Sequence, residues 1–135
     1  MSDEAACAAL MSRASYYADM HRIDDFVALF ADDGRLEVRG ERFIGAEAIR
    51  GFMDHRNRNR VTCHVLAPPI IDFATAEEGQ GIALFTLFDA IDAVGERPLP
   101  MTLPAAVGEF RQSYRKHAGQ WRVESHESVV TFRRG

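Results

Sequence analysis

The sequence predicts an α+β fold, three N-terminal helices packed on a strongly curved, mostly antiparallel sheet, and three observations predict it. Helical spacing of apolar residues dominates before Val61, and from there the pattern changes to strands and stays there. Gln80 to Ala90 is apolar on both faces, with Ile82, Leu84, Thr86 and Phe88 against Ala83, Phe85 and Leu87, so it must be covered on both sides. No repeat, low-complexity tract or linker divides the 135 residues, which read as a single domain over 1–135. Helices followed by long antiparallel strands place the helices on one face of the sheet.

The first helix is expected over residues 3 to 20, rich in Ala, capped by Ser2 or Asp3, with Leu10, Ala14 and Tyr17 on one face and Cys7 and Met11 widening it. In the second, Ile23, Phe26, Val27 and Phe30 form one apolar face, and Asp24 and Asp25 suit the N-terminal dipole. Asp33-Gly34 is expected to break that helix and turn the chain into Leu36-Glu37-Val38. Arg35 to Arg39 and Arg42 to Ile44 form a hairpin turning at Gly40-Glu41. Gly45-Ala46-Glu47 opens a third helix with Ile49, Phe52 and Met53 as its apolar stripe. In Thr62 to Phe73, His64, Leu66, Ile70 and Asp72 share one side, provided that Pro68-Pro69 adds no bulge. Val94 to Pro104, carrying three prolines, reads as a connection. Val107 to Lys116 and Gln120 to Arg133 form a final hairpin turning at Ala118-Gly119.

A net charge of −4 argues against general nucleic-acid binding, and no apolar run approaches the roughly 20 residues that a membrane helix needs. The acidic N-terminus lacks the positive region of a secretory signal, and two cysteines are too few for a disulfide framework, so a cytoplasmic protein is expected. No HExxH, paired CxxC, GxSxG or Gly-rich phosphate loop is present, so neither a metal nor a cofactor is expected.

The FADDG turn, the GAEAIRGFM opening of helix three, the His64 strand and the closing GEFRQSYRKHAGQWRVE, in that order and spacing, resemble the SnoaL-like branch of the nuclear transport factor 2-like superfamily. The resemblance covers roughly Leu10 to Phe132 and implies a cone-shaped α+β barrel around one apolar pocket. It also implies a small hydrophobic ligand, cyclic or polyketide- or steroid-like, in relatives that include dehydratases, isomerases, polyketide cyclases and non-catalytic binders. Dehydratase-like members place an Asp at the end of helix one and a His at the start of the strand after helix three, and Asp19 and His64 match these positions. An imidazole can remove a proton alpha to a carbonyl while a carboxylate orients it. The bland alternative is that Asp19 caps helix two and His64 is a satisfied, half-buried residue.

These members also carry a Tyr five residues before the Asp, where this chain has Ala14, with Tyr16 and Tyr17 as neighbouring substitutes or as core packing. Phe30, Phe52 and Leu66 complete the expected lining. On the last strand, strict alternation puts Glu127 with Trp121, Val123 and Ser125 toward the pocket and His126 on the opposite face. His21, His55 and His117 are expected in solvent. The Arg50, Arg56, Arg58 and Arg60 cluster could bind an anion, although a solvated helix end is the preferred reading. Two functional classes follow: a cofactor-free lyase or isomerase, or a pocket that only binds. The doubly apolar strand predicts a homodimer through the outer sheet face. The alternative partner is a different chain, as in the structural small subunits of ring-hydroxylating dioxygenases.

Overall fold

The computed structural model describes residues 1–91 and 95–135. Helix α1 spans Asp3–Asp19, with the Ser2 hydroxyl accepting from the Ala5 amide at 3.1 Å and Asp3 and Glu4 in its first turn. It buries Cys7, Leu10, Met11 and Ala14. Helix α2, Ile23–Ala28, buries Ile23, Phe26 and Val27. Strands β1 (Phe30–Val38) and β2 (Glu41–Ile44) follow, and helix α3, Ala46–Asp54, buries Ile49 and Met53. Gly45, at φ 89°, caps α3 in a conformation that strongly favours glycine. Strands β3 (Val61–Leu66), β4 (Ile70–Thr75), β5 (Glu78–Ala90), β6 (Ala106–His117) and β7 (Gln120–Arg133) complete the chain. Among the described residues no helix is long and apolar enough to cross a membrane.

The seven strands make one sheet in the order β2-β1-β7-β6-β5-β3, with β4 also paired to β5. Every pairing is antiparallel except β1 with β7. The three helices pack on this curved sheet. The β6–β7 hairpin turns at Ala118 and Gly119, both at positive φ (51° and 79°), as a tight two-residue turn requires. The expected connection from Val94 to Pro104 contains no regular element from Gly95 onward, and Val94 itself lies outside the described residues.

Three local expectations are corrected. Phe30 is not the end of α2 but the start of β1, paired with Val123, because the Leu29 carbonyl already accepts the Val123 amide at 2.8 Å. Asp33-Gly34 is an irregularity inside β1 rather than a helix-ending turn, since the register to β7 shifts between Phe30 and Arg35. A side chain at Gly34 would stand 2.9 Å from the Ala31 carbonyl oxygen and 3.0 Å from that of Val123, which explains the glycine. Finally, Pro68-Pro69 does change the strand phase. Leu66 opposes Phe85 and Ile70 opposes Ile82, so the first segment uses one more residue than β5 does. Ile71 therefore packs on the core, while Ile70 is 68% exposed.

Candidate functional site

Asp19 is the last residue of α1, and the helix stops there because His21 takes a left-handed conformation at φ 54°. Its carboxylate points at the start of β3, where Thr62 and His64 alternate inward. Oδ1 accepts the Thr62 hydroxyl at 2.7 Å and meets His64 Nδ1 at 2.7 Å, while Oδ2 accepts the His64 backbone amide at 2.8 Å. Both side chains are largely buried, 6% exposed for Asp19 and 13% for His64. Burial alone would raise the Asp19 carboxyl, but the His64 ring, its charge, its amide and the Thr62 hydroxyl outweigh it and hold the group below the usual carboxylate range. A carboxylate only accepts, so Nδ1 carries a proton and the opposite nitrogen, Nε2, is the one left for a ligand. The ring is wedged between Phe85 and Phe110, with centroids at 5.4 and 5.2 Å.

His64 lines a cavity of about 600 Å³ between the helices and the sheet. Its apolar wall comes from Phe26, Leu36, Val38, Phe52, Met53, Leu87 and Phe110, and Ala14, Ser15 and Ala18 bring α1 to it. His126 lines it too, only 5% exposed and 4.8 Å from the Phe110 ring, so the two imidazoles flank one phenyl ring. Its Nδ1 sits 2.8 Å from Gln112 Nε2. An amide nitrogen only donates, which leaves the His126 proton on Nε2. Burial first, and then the His64 charge, push this imidazole down to about 4. Five arginines, Arg39, Arg56, Arg60, Arg133 and Arg134, stand around the same space with Asp89.

Of the residues expected in the lining, Phe52 is there. Phe30 and Leu66 are packed in the core clusters instead. Tyr16 is 55% exposed, and Tyr17 lies against the core with the Arg22 guanidinium 4.7 Å above its ring, so neither phenol reaches the cavity. The third tyrosine, Tyr114, is buried in the core. Glu127 faces the outer side of the sheet near Arg111, at 3.9 Å. The cause is a bulge. Ser125 opposes Ser113 but Val123 opposes Tyr114, so Glu124 is an extra residue that puts Val123 and His126 on the same inner face. Strict alternation through β7 therefore inverts His126 and Glu127, and no feature of the sequence marks the slip. His55 and His117 are exposed, whereas His21 is half-buried with Nε2 3.5 Å from the Arg60 carbonyl. The arginine cluster divides: Arg50 pairs with Asp24 and Arg58 with Asp54, while Arg56 and Arg60 turn to the cavity.

Several solved structures share this fold. A scytalone dehydratase-like protein from Novosphingobium aromaticivorans is 22% identical, over 94% of this chain and 83% of its own, with a TM-score of 0.73. An NTF2-like protein with a cystatin-like fold from the same organism is 18% identical, over 96% and 82%, with a TM-score of 0.78. A hexachlorocyclohexane dehydrochlorinase is 14% identical, over 95% and 84%, also at 0.78. At these identities the likeness is one of fold. No curated protein matches the sequence. The family model of the SnoaL-like domain matches residues 1–127, and with the curved sheet and its cavity this makes the chain a member of the SnoaL-like family.

Proposed function

We propose that the cavity binds a small hydrophobic molecule, cyclic or polyketide- or steroid-like, and that the chain acts on it as a cofactor-free lyase or isomerase. The supporting observation is the Asp19–His64 pair: a ring nitrogen facing a largely apolar cavity, with its other nitrogen 2.7 Å from a buried carboxylate. A volume of about 600 Å³ suits a molecule of a few fused or linked rings.

In this reading His64 Nε2 removes a proton from a carbon alpha to a carbonyl, and the C–H electron pair moves toward the carbonyl oxygen as an enolate. Asp19 stabilises the resulting imidazolium without taking its proton. His126, neutral at neutral pH, donates its Nε2 proton as a hydrogen bond to the developing oxyanion. Collapse of the enolate with loss of a beta hydroxyl, which receives the proton from His64 and departs as water, gives the lyase. Return of the proton to another carbon gives the isomerase. Names of elimination enzymes among the structural neighbours are in keeping with this class.

The test is turnover of hydroxylated cyclic ketones by the wild type, His64→Ala and Asp19→Asn. We expect loss of about 10²-fold or more in kcat for His64→Ala and a smaller loss for Asp19→Asn, each with unchanged circular dichroism. Full rate in both variants would rule out His64 as the base and Asp19 as its partner. A second reading, a pocket that binds without catalysis, is favoured by one observation: none of the three tyrosines lines the cavity, so the phenol of dehydratase-like relatives has no counterpart in this site. Binding without turnover across the panel would select it.

The outer sheet face supports a homodimer. Ile82 and Leu84 of β5 are 42% and 61% exposed, and Val65 and Ile70 on the flanking strands are 54% and 68% exposed.

A further inference from the structure

The cavity is mostly apolar, yet its charged residues are five arginines and one aspartate, in a chain whose net charge is −4. The aspartate is already engaged. Asp89 accepts from Arg60 Nη2 at 3.1 Å and Nε at 3.3 Å, and from Arg134 Nη2 at 2.9 Å. Arg56 differs from both. It is half-buried, and its Nη1 donates to the Ala18 carbonyl at 3.0 Å, one residue before Asp19. Among the described residues no carboxylate lies within ion-pair distance of it. Burial first, and then the charges of Arg60 and Arg39, lower its hold on its proton, while Asp19 acts the other way. A guanidinium withdrawn from water beside like charges is costly, and the cost is offset when an anion arrives. The planar fork also matches carboxylate and phosphate oxygens in a bidentate manner that no carbonyl can use fully.

Building on the reading of this cavity as a small-molecule site, we propose that its ligand is an organic acid. The apolar body lies against Phe26, Phe52 and Phe110, and an oxyanion, carboxylate or phosphate, is received by Arg56 with Arg39 at the rim. The substrate class narrows accordingly, from cyclic ketones in general to ketones that carry such a group. A neutral steroid or polyketide would leave Arg56 desolvated with no oxyanion in ion-pair contact, and is selected against on that ground.

Isothermal titration with 2-naphthoate, 2-naphthyl phosphate and the uncharged 2-naphthylmethanol separates the cases, since the three share one ring system. The wild type should bind at least one of the anions about tenfold or more tightly than the alcohol, and that preference should shrink as salt rises. Whichever anion leads identifies the oxyanion. Arg56→Gln should lower anion affinity about 10- to 100-fold and leave the alcohol within about twofold. Arg39→Gln, at an exposed position where folding is not at issue, should lower it less, and Arg13→Gln on the outer side of α1 should not change it. Equal affinity for alcohol and acids overturns the proposal, as does a parallel loss of both in Arg56→Gln, or no binding of any probe at millimolar concentration. The two readings fail separately. Anion preference without turnover of any ketone removes the catalytic reading alone, whereas turnover of neutral ketones without anion preference removes the organic-acid reading alone.

Discussion

His126 packs against Phe110 and, at 6.5 Å, against Phe26, and burial holds its imidazole near 4 where 6.5 is ordinary. Above pH 6.5 the ring is neutral in folded and unfolded chains alike, and the group's contribution to stability is fully present. Between 6.5 and about 4 the unfolded chain binds a proton that the folded chain refuses, so stability falls as pH falls across that window. Asp19 adds a separate window. Its lowered carboxyl contributes fully above the ordinary 3.8 and is lost only as pH drops through the still lower folded value. We therefore expect His126→Gln to narrow the difference in urea stability between pH 7.5 and pH 4.5 by about 2 kcal/mol. The same pH dependence in variant and wild type would show that His126 is not the residue responsible. The helix end and the strand that carry Asp19 and His64 were legible in the sequence, while the choice of these two residues came from the resemblance to dehydratase-like relatives. His126 was not legible, because its direction depends on a register set by β6.

At the level of elements, what was legible divides by regularity. The alternation in β5 and the first part of β6 is unbroken, and Ala83, Phe85 and Phe110 are buried where strict alternation puts them. It fails where one strand carries extra residues, as in β1 between Phe30 and Arg35, at Pro68-Pro69, at Ala74, at Glu124, and at Thr131, since Val107 opposes Phe132 while Gly108 opposes Val130. A bulge is a property of two strands together, and neither strand announces it alone. Gly108 sits at one of these slips. A methyl group there would run into the Val129 carbonyl oxygen and stand 3.0 Å from the Val130 Cα, both backbone atoms of the paired strand that cannot rotate aside. Gly108→Ala is expected to cost about 2 kcal/mol or more, read as a fall in thermal midpoint. Gly51→Ala is the contrast: it lies inside α3 with nothing within 4 Å of the added carbon, and should stabilise by about 0.5–1 kcal/mol. Equal effects at the two sites would mean that the close approach at Gly108 is not what glycine is there for.

For the molecule as a whole, the exposed side of β5 gives the oligomeric state its test. Leu84 is 61% exposed beside the exposed Val65, Ile70 and Ile82 and directly across from Glu109. An aspartate there sets a second carboxylate next to Glu109 and a charge among these apolar side chains. Light scattering at micromolar concentration should report a dimer for the wild type and a monomer for Leu84→Asp, with the monomer still folded. A monomeric wild type would remove the outer face as a self-association surface. The parallel pairing of β1 with β7 has a different consequence, one of time. Phe30 lies opposite Val123 and Val38 opposite Ser128, so the sheet joins its first strand to its last. Closing so long a loop is entropically costly, which puts folding in the slow, millisecond-to-second range typical of non-local sheets. During synthesis, a nascent chain extending only through His117 has paired β1 with nothing but the four-residue β2. The wall of the cavity that carries Leu36 and Val38 therefore takes its place only after His126 has been made.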